Sequence, residues 1–204
     1  MSSKFYTVIL FLVVSTFGFS QAVTTVSSEY GFKNKDLQGF INFENIFLEK
    51  LIFEGKNIKD KSYIVEIIEY NHGKETSRNI LFDGTETDYF KINTEKETLS
   101  FYIKLRDGKL KVQMHGKGFR SKKMYYNLYN EADTYALKDF LGSNSKVNID
   151  IEKENPVLAI ITPTVHENGF SSYCEVAQSE VPTHKLGVHF KIPHYFIINI
   201  RFKG

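Results

Sequence analysis

The chain has 204 residues, and its 26 Lys and Arg nearly balance its 24 Asp and Glu, so the net charge is only +2. A charge so close to balance lacks the basic excess of nucleic-acid-binding proteins, and we expect no nucleic acid partner. The single cysteine excludes an internal disulfide, while 18 Phe and 12 Tyr suit strands around a large apolar core.

The first residues have the three parts of a secretory signal. Lys4 gives a short positive region, residues 5–14 (FYTVILFLVV) are apolar, and SQA at positions 20–22 offers small residues for cleavage. The apolar run is shorter than the roughly 20 residues that a membrane span needs. We therefore predict a signal peptide over residues 1–22, a secreted or periplasmic protein of residues 23–204, and no transmembrane segment after signal removal.

The next segments are less regular. Residues 23–36 are typical of a lead-in or an edge strand. Residues 39–55 (GFINFENIFLEKLIFEG) are strongly apolar but ambiguous. Partial alternation over residues 40–44 favours a strand, whereas the spacing over residues 46–51 also fits a helix.

The clearest local signal is a β-hairpin over Leu99–Met114 (LSFYIKLRDGKLKVQM). Asp107-Gly108 suits a two-residue type I′ turn, because both central positions need a positive φ. The resulting register pairs the apolar residues on one face: Leu105 with Leu110, Ile103 with Val112, and Phe101 with Met114. The other face carries Tyr102, Lys104, Arg106, Lys109, Lys111 and Gln113.

One short helix is predicted near residues 131–141. Ala132, Tyr135 and Phe140 fall on one face at helical spacing, Asn130 suits the N-cap, and Gly142 suits the residue after the last turn.

Strands are predicted elsewhere from alternation or from short apolar runs. They cover residues 63–70, 77–82, 147–151, 157–162, 186–192 and 196–202. About ten short strands with one helix are typical of an antiparallel β-sandwich, and the lack of a linker favours a single domain over residues 23–204.

Three segments carry a resemblance to a group of proteins. A signal that ends in GFSQA, the segment YCEVAQS and the closing IPHYFIINIRF resemble uncharacterised secreted β-rich proteins of Bacteroidota. This resemblance implies export to the cell envelope and assigns no role to any residue.

The least weak functional candidate is a basic, tyrosine-rich run over residues 104–123 and its flanks. The basic residues and aromatics of this surface suit an anionic glycan, lipid head groups or nucleic acid. With nucleic acid set aside on overall charge, the expected partner is an envelope protein or a glycan. The alternative is a solvated strand face whose charge discourages edge-to-edge aggregation. The candidate ligand-binding residues are Tyr102, Lys104, Arg106, Lys109, Lys111, Tyr125 and Tyr126.

No metal or cofactor is predicted. His184, His189 and His194 are five residues apart, so on strands or in turns their side chains should point in different directions at the surface. His166 does not form a closely spaced pair of zinc ligands with any of them. The loop over residues 83–88 (DGTETD) is rich in oxygen ligands but does not follow the EF-hand pattern, so a solvated turn is preferred to a calcium site. Cys174 is interpreted as a small buried residue rather than a nucleophile.

The motifs of common enzyme families are absent, including the G-x-S-x-G elbow, H-E-x-x-H and the Walker loop. Glu66 and Glu69 lie three apart on one strand and should face opposite sides. The sequence therefore favours a non-enzymatic binding or structural module of the cell envelope. The alternative is a secreted hydrolase whose carboxylates come from separate strands.

Overall fold

Alternating apolar residues on two sets of antiparallel strands meet face to face in a β-sandwich, as the sequence predicted. The structure is a computed structural model that describes residues 23–165, 171–173, 176, 179 and 181–204. The predicted signal peptide, His166 and Cys174 lie outside the described residues. Within them, no helix is long and apolar enough to cross a membrane.

Sheet A has the strand order β10-β1-β2-β5-β6-β7, and β8 also pairs with β6. Its strands are β1 (Thr24–Tyr30), β2 (Ile46–Glu54), β5 (Lys96–Arg106), β6 (Lys109–Gly116), β7 (Phe119–Arg120), β8 (Met124–Asn127) and β10 (Lys146–Ile149).

Sheet B has the strand order β4-β3-β14-β11-β9. Its strands are β3 (Ser62–Asn71), β4 (Lys74–Asp83), β9 (Ala136–Asp139), β11 (Glu154–Ile161) and β14 (His194–Lys203). A separate short ladder joins β12 (Thr164–Val165) to β13 (Ser171–Ser172). The described helices include α1 (Lys35–Phe43) and α2 (Leu186–His189), and 3₁₀ turns occupy Lys56–Ile58, Asp88–Phe90, Ala132–Thr134 and Thr183–Lys185.

The main core fills the space between the two sheets. Aromatic pairs connect the sheets along its length, with ring centroids 5.7 Å apart for Phe53 and Phe202 and 5.3 Å apart for Tyr126 and Phe196. Phe53, Phe101 and Phe196 are fully buried, and burial of each such side chain stabilises the fold by roughly 2–3 kcal/mol.

The β5–β6 hairpin has the predicted turn and register. Asp107 and Gly108 have φ values of 50° and 67°, as a type I′ turn requires. Leu105 pairs with Leu110 and Ile103 with Val112. This agreement fixes which side chains of the two strands point into the core and which point outward.

The prediction for residues 39–55 is inverted in the structure. The strand-like part lies in α1, and the helix-like part is β2. The Asn34 side chain caps α1 by accepting a hydrogen bond from the Leu37 amide at 2.9 Å. β2 then pairs with both β1 and β5. The prediction of an edge strand within residues 23–36 is also wrong, because β1 pairs with β10 on its other side.

Two further predictions are wrong, in segments whose apolar spacing fits both a helix and a strand. Instead of a helix over residues 131–141, the chain forms one 3₁₀ turn at Ala132–Thr134 and then β9, which pairs with β11. Instead of a strand over residues 186–192, it forms α2. Leu186 and Phe190 are four residues apart, a spacing that fits a strand and a helix equally well.

Candidate binding surface

The outward face of β5, β6 and β8 carries the side chains that the hairpin register directs away from the core. Along β5 these are Thr98, Ser100, Tyr102 and Lys104. On β6 and β8, Tyr102 lies opposite Gln113, Lys104 opposite Lys111, and Lys111 opposite Tyr125. We call this surface the outer strip, which consists of Thr98, Ser100, Tyr102, Lys104, Lys109, Lys111, Gln113, His115 and Tyr125.

A pair of rings occupies the middle of the outer strip. The Tyr102 and His115 rings lie 4.4 Å apart between centroids, at an angle of 39°. Gln113 steadies this arrangement, because its Oε1 lies 3.3 Å from His115 Nε2 and its amide donates to the Ser121 carbonyl at 2.9 Å. Partial burial, together with the nearby Arg120 charge, lowers the pKa of His115. The imidazole is therefore neutral at physiological pH and adds a polar ring rather than a charge.

Lys111 and Tyr125 lie side by side on the outer strip, where β6 pairs with β8. The Lys111 Nζ lies 5.8 Å from the centre of the Tyr125 ring, within the range of a cation–π contact. The Tyr125 side chain is 61% exposed. This pair presents a flat ring and a positive charge to solvent side by side.

Lys104, Arg106 and Lys109 have partners within the protein. The Lys104 Nζ lies 2.8 Å from a Glu44 oxygen, and Arg106 lies 3.1 Å from the same atom. The hydrogen bond from Lys104, followed by its charge, lowers the pKa of Glu44. Lys109 donates to the Asn127 side chain. The charges of Lys104 and Arg106 are thus partly neutralised by the residue that follows α1.

Tyr126 does not belong to this surface, although the sequence placed it there. It is only 9% exposed, and it packs against Phe196 in the core. Its hydroxyl donates to the Met124 sulfur at 3.7 Å. Tyr125 and Tyr126 are neighbours on one strand, so they must point to opposite faces. That periodicity was already present in the sequence and would have separated them.

The sequence interpretation missed an apolar stripe beside the outer strip. Leu37, Phe40 and Phe43 recur at helical spacing on α1 and are 42%, 60% and 83% exposed. The opposite side of the helix packs on β2. Ile41 of α1 and Leu48 of β2 are both buried. A test for a helical period over residues 35–43 would have found the stripe.

Two clefts border the outer strip. At its β5 start, Thr94, Glu97, Ser100, His115 and Lys117 are among the residues that line a cleft of 300 Å³. Where β5 ends, a cleft of 510 Å³ lies between Phe43, Glu44, Arg106 and the turn at Ala132–Asp133. Both are lined mainly by polar groups.

His194 lies in a buried network, which corrects the prediction of a surface or turn histidine. It is fully buried on β14, where its Nε2 lies 3.0 Å from a Glu69 oxygen and its Nδ1 lies 2.6 Å from the Tyr135 hydroxyl. The other Glu69 oxygen accepts a hydrogen bond from Ser77 at 3.0 Å. Burial lowers the pKa of His194, although Glu69 opposes this effect. The imidazole is shielded from solvent, so the network serves to satisfy buried polar groups between the sheets.

His184 and His189 lie in the helical segment on the far side of sheet B from this network. In the part of the chain that the structure describes, no group of three or more His, Cys, Asp or Glu is arranged to hold a metal ion. In the acidic loop, Asp83 accepts hydrogen bonds from the Thr85 amide and hydroxyl at 2.9 and 2.6 Å, and Asp88 pairs with Lys91 at 2.8 Å. The loop is therefore held by its own turn contacts.

A pair of carboxyl groups from separate strands lies between the sheets. Glu49 on β2 is 4% exposed and accepts a hydrogen bond from Ser28. Burial, with the charge of Asp139 on β9 as a smaller contribution, raises the pKa of Glu49 to about 8. Glu66 and Glu69, by contrast, face opposite sides of β3 as predicted: Glu66 contacts Arg78 on the outward face, and Glu69 contacts His194 between the sheets.

Comparisons of the chain with protein-family models, with curated proteins and with solved structures find no match.

Proposed function

We propose that this chain is an exported, non-enzymatic binding module of the cell envelope that holds its partner on the outer strip beside α1. The observation that carries this proposal is the presence of exposed aromatic side chains of both α1 and β8 on that side of the sandwich. Phe40, Phe43 and Tyr125 are each at least 60% exposed. Exposed apolar groups that border a charged surface are typical of interaction sites on soluble proteins.

The charges beside these rings support the same conclusion. Between Gly108 and Glu131 the chain has no acidic residue and six Lys or Arg: Lys109, Lys111, Lys117, Arg120, Lys122 and Lys123. None of these six makes an ion pair within the described residues; the ion pairs lie elsewhere, for example at Lys104 and Arg78. Aromatic rings beside unneutralised cations are typical of binding-surface hot spots.

Capture of envelope components by the immobilised, exported protein tests the proposal. The wild type should retain specific envelope proteins or glycans, and the double variant Phe43→Ser, Tyr125→Ser should lose them, because it removes the exposed rings without touching the core. The matched control is Tyr89→Ser, Val188→Ser, which removes two residues that are 71% and 74% exposed elsewhere. Equal retention by the two double variants would contradict the assignment of the surface.

Export is tested separately by N-terminal sequencing of the protein recovered outside the cytoplasm. The pattern of residues 1–22 predicts a first residue at or near Val23. Recovery of a mature protein that retains Met1 would contradict the signal peptide.

A second candidate function is favoured by one observation, the carboxyl pair of Glu49 and Asp139. A general acid needs a raised pKa, and the pKa of Glu49 is about 8. This arrangement supports the alternative of a hydrolase with carboxylates from separate strands. Neither residue lines the two clefts described above.

Turnover of a panel of chromogenic esters and glycosides distinguishes this candidate. If the pair is catalytic, Glu49→Gln and Asp139→Asn should each lower the rate at least roughly 100-fold, whereas Glu97→Gln, at another buried carboxyl, should not. Undetectable turnover by the wild type, or equal rates in all variants, would exclude the hydrolase for the tested substrates.

A further inference from the structure

The outer strip has the length of an extended ligand rather than of a small molecule. From Thr98 to Lys104 the outward residues of β5 follow one another at every second position, and six residues of an antiparallel strand extend roughly 20 Å. His115, Gln113 and Lys111 run beside them on β6. The cleft of 300 Å³ closes the strip at its β5 start.

The side chains of the outer strip include both hydrogen-bonding groups and flat rings. Hydroxyls of Thr98 and Ser100 come first, the Tyr102 and His115 rings follow 4.4 Å apart, and the Tyr125 ring lies further along. Sugars offer the matching chemistry, because their hydroxyls pair with polar side chains and their C–H faces pack on aromatic rings. No large aliphatic side chain lies exposed on the strip itself; the exposed Leu37, Phe40 and Phe43 belong to α1.

The charge of the strip selects among sugars. Lys111 has the Tyr125 ring as its neighbour rather than an acid, and Lys117 lines the end cleft. The acid in that cleft is Glu97, whose Oε1 is buried with no hydrogen-bond partner in the described structure. Burial raises the pKa of Glu97, although the charge of Lys117 opposes this effect. The strip therefore favours a ligand that carries negative charge.

We propose that the outer strip binds an anionic oligosaccharide chain, with several linked sugars lying along β5 and β6. Tyr125 and Tyr102 pack against sugar rings, Lys111 and Lys117 pair with carboxylate, sulfate or phosphate groups on the chain, and the end cleft takes its terminal sugar. This inference rests on the proposed binding function and names the class of its ligand.

The test measures binding of the exported protein to three acidic polysaccharides: polygalacturonate, alginate and chondroitin sulfate. We expect at least one to bind, and binding should weaken at least about fivefold between low and physiological salt, because solvent-exposed charges are screened. Tyr125→Ala and Lys111→Gln should each weaken binding roughly tenfold, which corresponds to the loss of one stacking or charged contact. Val188→Ala and Lys74→Gln, at exposed positions beside sheet B, should leave binding unchanged.

Three comparison ligands decide whether both the sugar and its charge matter. Equal binding of neutral dextran would overturn the anionic assignment, and equal binding of polyphosphate or of phosphatidylglycerol vesicles would overturn the sugar assignment. Binding that survives Tyr125→Ala would overturn the stacking role of the strip. If no polysaccharide binds but capture of an envelope protein is lost with Phe43→Ser, Tyr125→Ser, this inference fails and the proposed function stands. If that capture is also absent, both fail.

Discussion

The outward faces of the two sheets are used in opposite ways. On sheet B, a second apolar cluster covers one end of the face, where Leu186, Phe190 and Ile192 pack against Ile68 and Ile197. Beside this cluster, Arg78 lies opposite Ile68 in the strand register and contacts Glu66, Glu75 and Glu154 at 2.6–3.3 Å. On sheet A, α1 packs on the outward face at β2, and the outer strip carries the exposed Tyr125 ring beside Lys111.

The covering of sheet B depends on close backbone contact. A Cβ atom on Gly187 would lie 2.4 Å from the Gly73 nitrogen, so only glycine lets α2 approach the β3–β4 turn. Stacked Tyr70 and Tyr195 rings, 4.8 Å apart, lie beneath, and the Tyr195 hydroxyl donates to the Thr183 carbonyl at 2.8 Å. The outward face of sheet B therefore contributes to stability, whereas no described segment packs over Lys111 and Tyr125 on sheet A.

The largest expected effect lies under the covered face. Ile197→Ala removes a fully buried side chain between sheet B and the residues that cover it. It should lower the free energy of unfolding by about 3 kcal/mol, as measured by urea denaturation. Ile80→Ala, at a 44% exposed position on the same sheet, should cost less than about 1 kcal/mol. Equal losses would mean that residues 181–193 do not cover the face in solution.

The next largest effect is the pH dependence of stability, which differs between Glu49 on sheet A and Glu154 on sheet B. The pKa of Glu49 is raised to about 8 from 4.5, so above pH 4.5 the folded state holds more protons than the unfolded state. The free energy of unfolding therefore falls as pH rises towards 8 and levels off beyond it. Glu49→Gln should remove this fall and be more stable than the wild type by about 2 kcal/mol at pH 9.

The pKa of Glu154 on sheet B is shifted in the opposite direction, so Glu154 provides the control. Against the effect of burial, hydrogen bonds from Asn199 and Arg78 lower the pKa of Glu154. Its contribution to stability is thus present above its unfolded pKa and is lost as pH falls through the lower folded value. Glu154→Gln should leave the slope between pH 5 and 8 intact, and thermal unfolding across pH distinguishes the two variants. Parallel profiles for both would contradict the raised pKa of Glu49.

A smaller effect separates the ion pairs of the two faces. Arg78→Met leaves Glu66, which is 8% exposed, without its cation, and should cost about 1–2 kcal/mol in the free energy of unfolding. Lys104→Met on sheet A should cost less, because Glu44 keeps Arg106 at 3.1 Å. A larger loss for Lys104→Met in urea denaturation would show that the open face, too, serves stability.

The smallest effect on stability is expected on the outer strip itself. Tyr125→Ala removes an exposed ring and should change the free energy of unfolding by no more than about 0.5 kcal/mol. The same variant should lose ligand binding, which separates the two kinds of face directly. A loss of stability comparable to that of Ile197→Ala would contradict an open binding surface.

Local sequence patterns predicted correctly those elements for which two independent patterns agree. In the β5–β6 hairpin, the Asp107-Gly108 turn and the alternation on both strands agree, so turn and register follow from neighbouring residues. The long strands β3 and β14 were likewise predicted from alternation and apolar runs. At Leu186–His189 and Ala132–Asp139, by contrast, the apolar spacing fits both a helix and a strand, and distant partners decided between them.

The candidate surface shows the same division. The outward positions of Tyr102, Lys104, Arg106, Lys109 and Lys111 follow from the register, and the inward position of Tyr126 follows from its place beside Tyr125 on β8. The pairing of Lys104 and Arg106 with Glu44 could not be predicted, because the partners lie about 60 residues apart and α1 has to be placed on sheet A first. The burial of His194 against Glu69 joins residues 125 positions apart.

The sequence by itself determined that this chain forms antiparallel strands with one apolar and one polar face, because alternation and turn chemistry act over a few residues. The tertiary structure alone decided which outward face is covered. Coverage of sheet B depends on where residues 181–193 pack after the sheets have met, and that packing joins segments more than 100 residues apart, such as Ile68 and Phe190. The outer strip is open because no described segment packs on it.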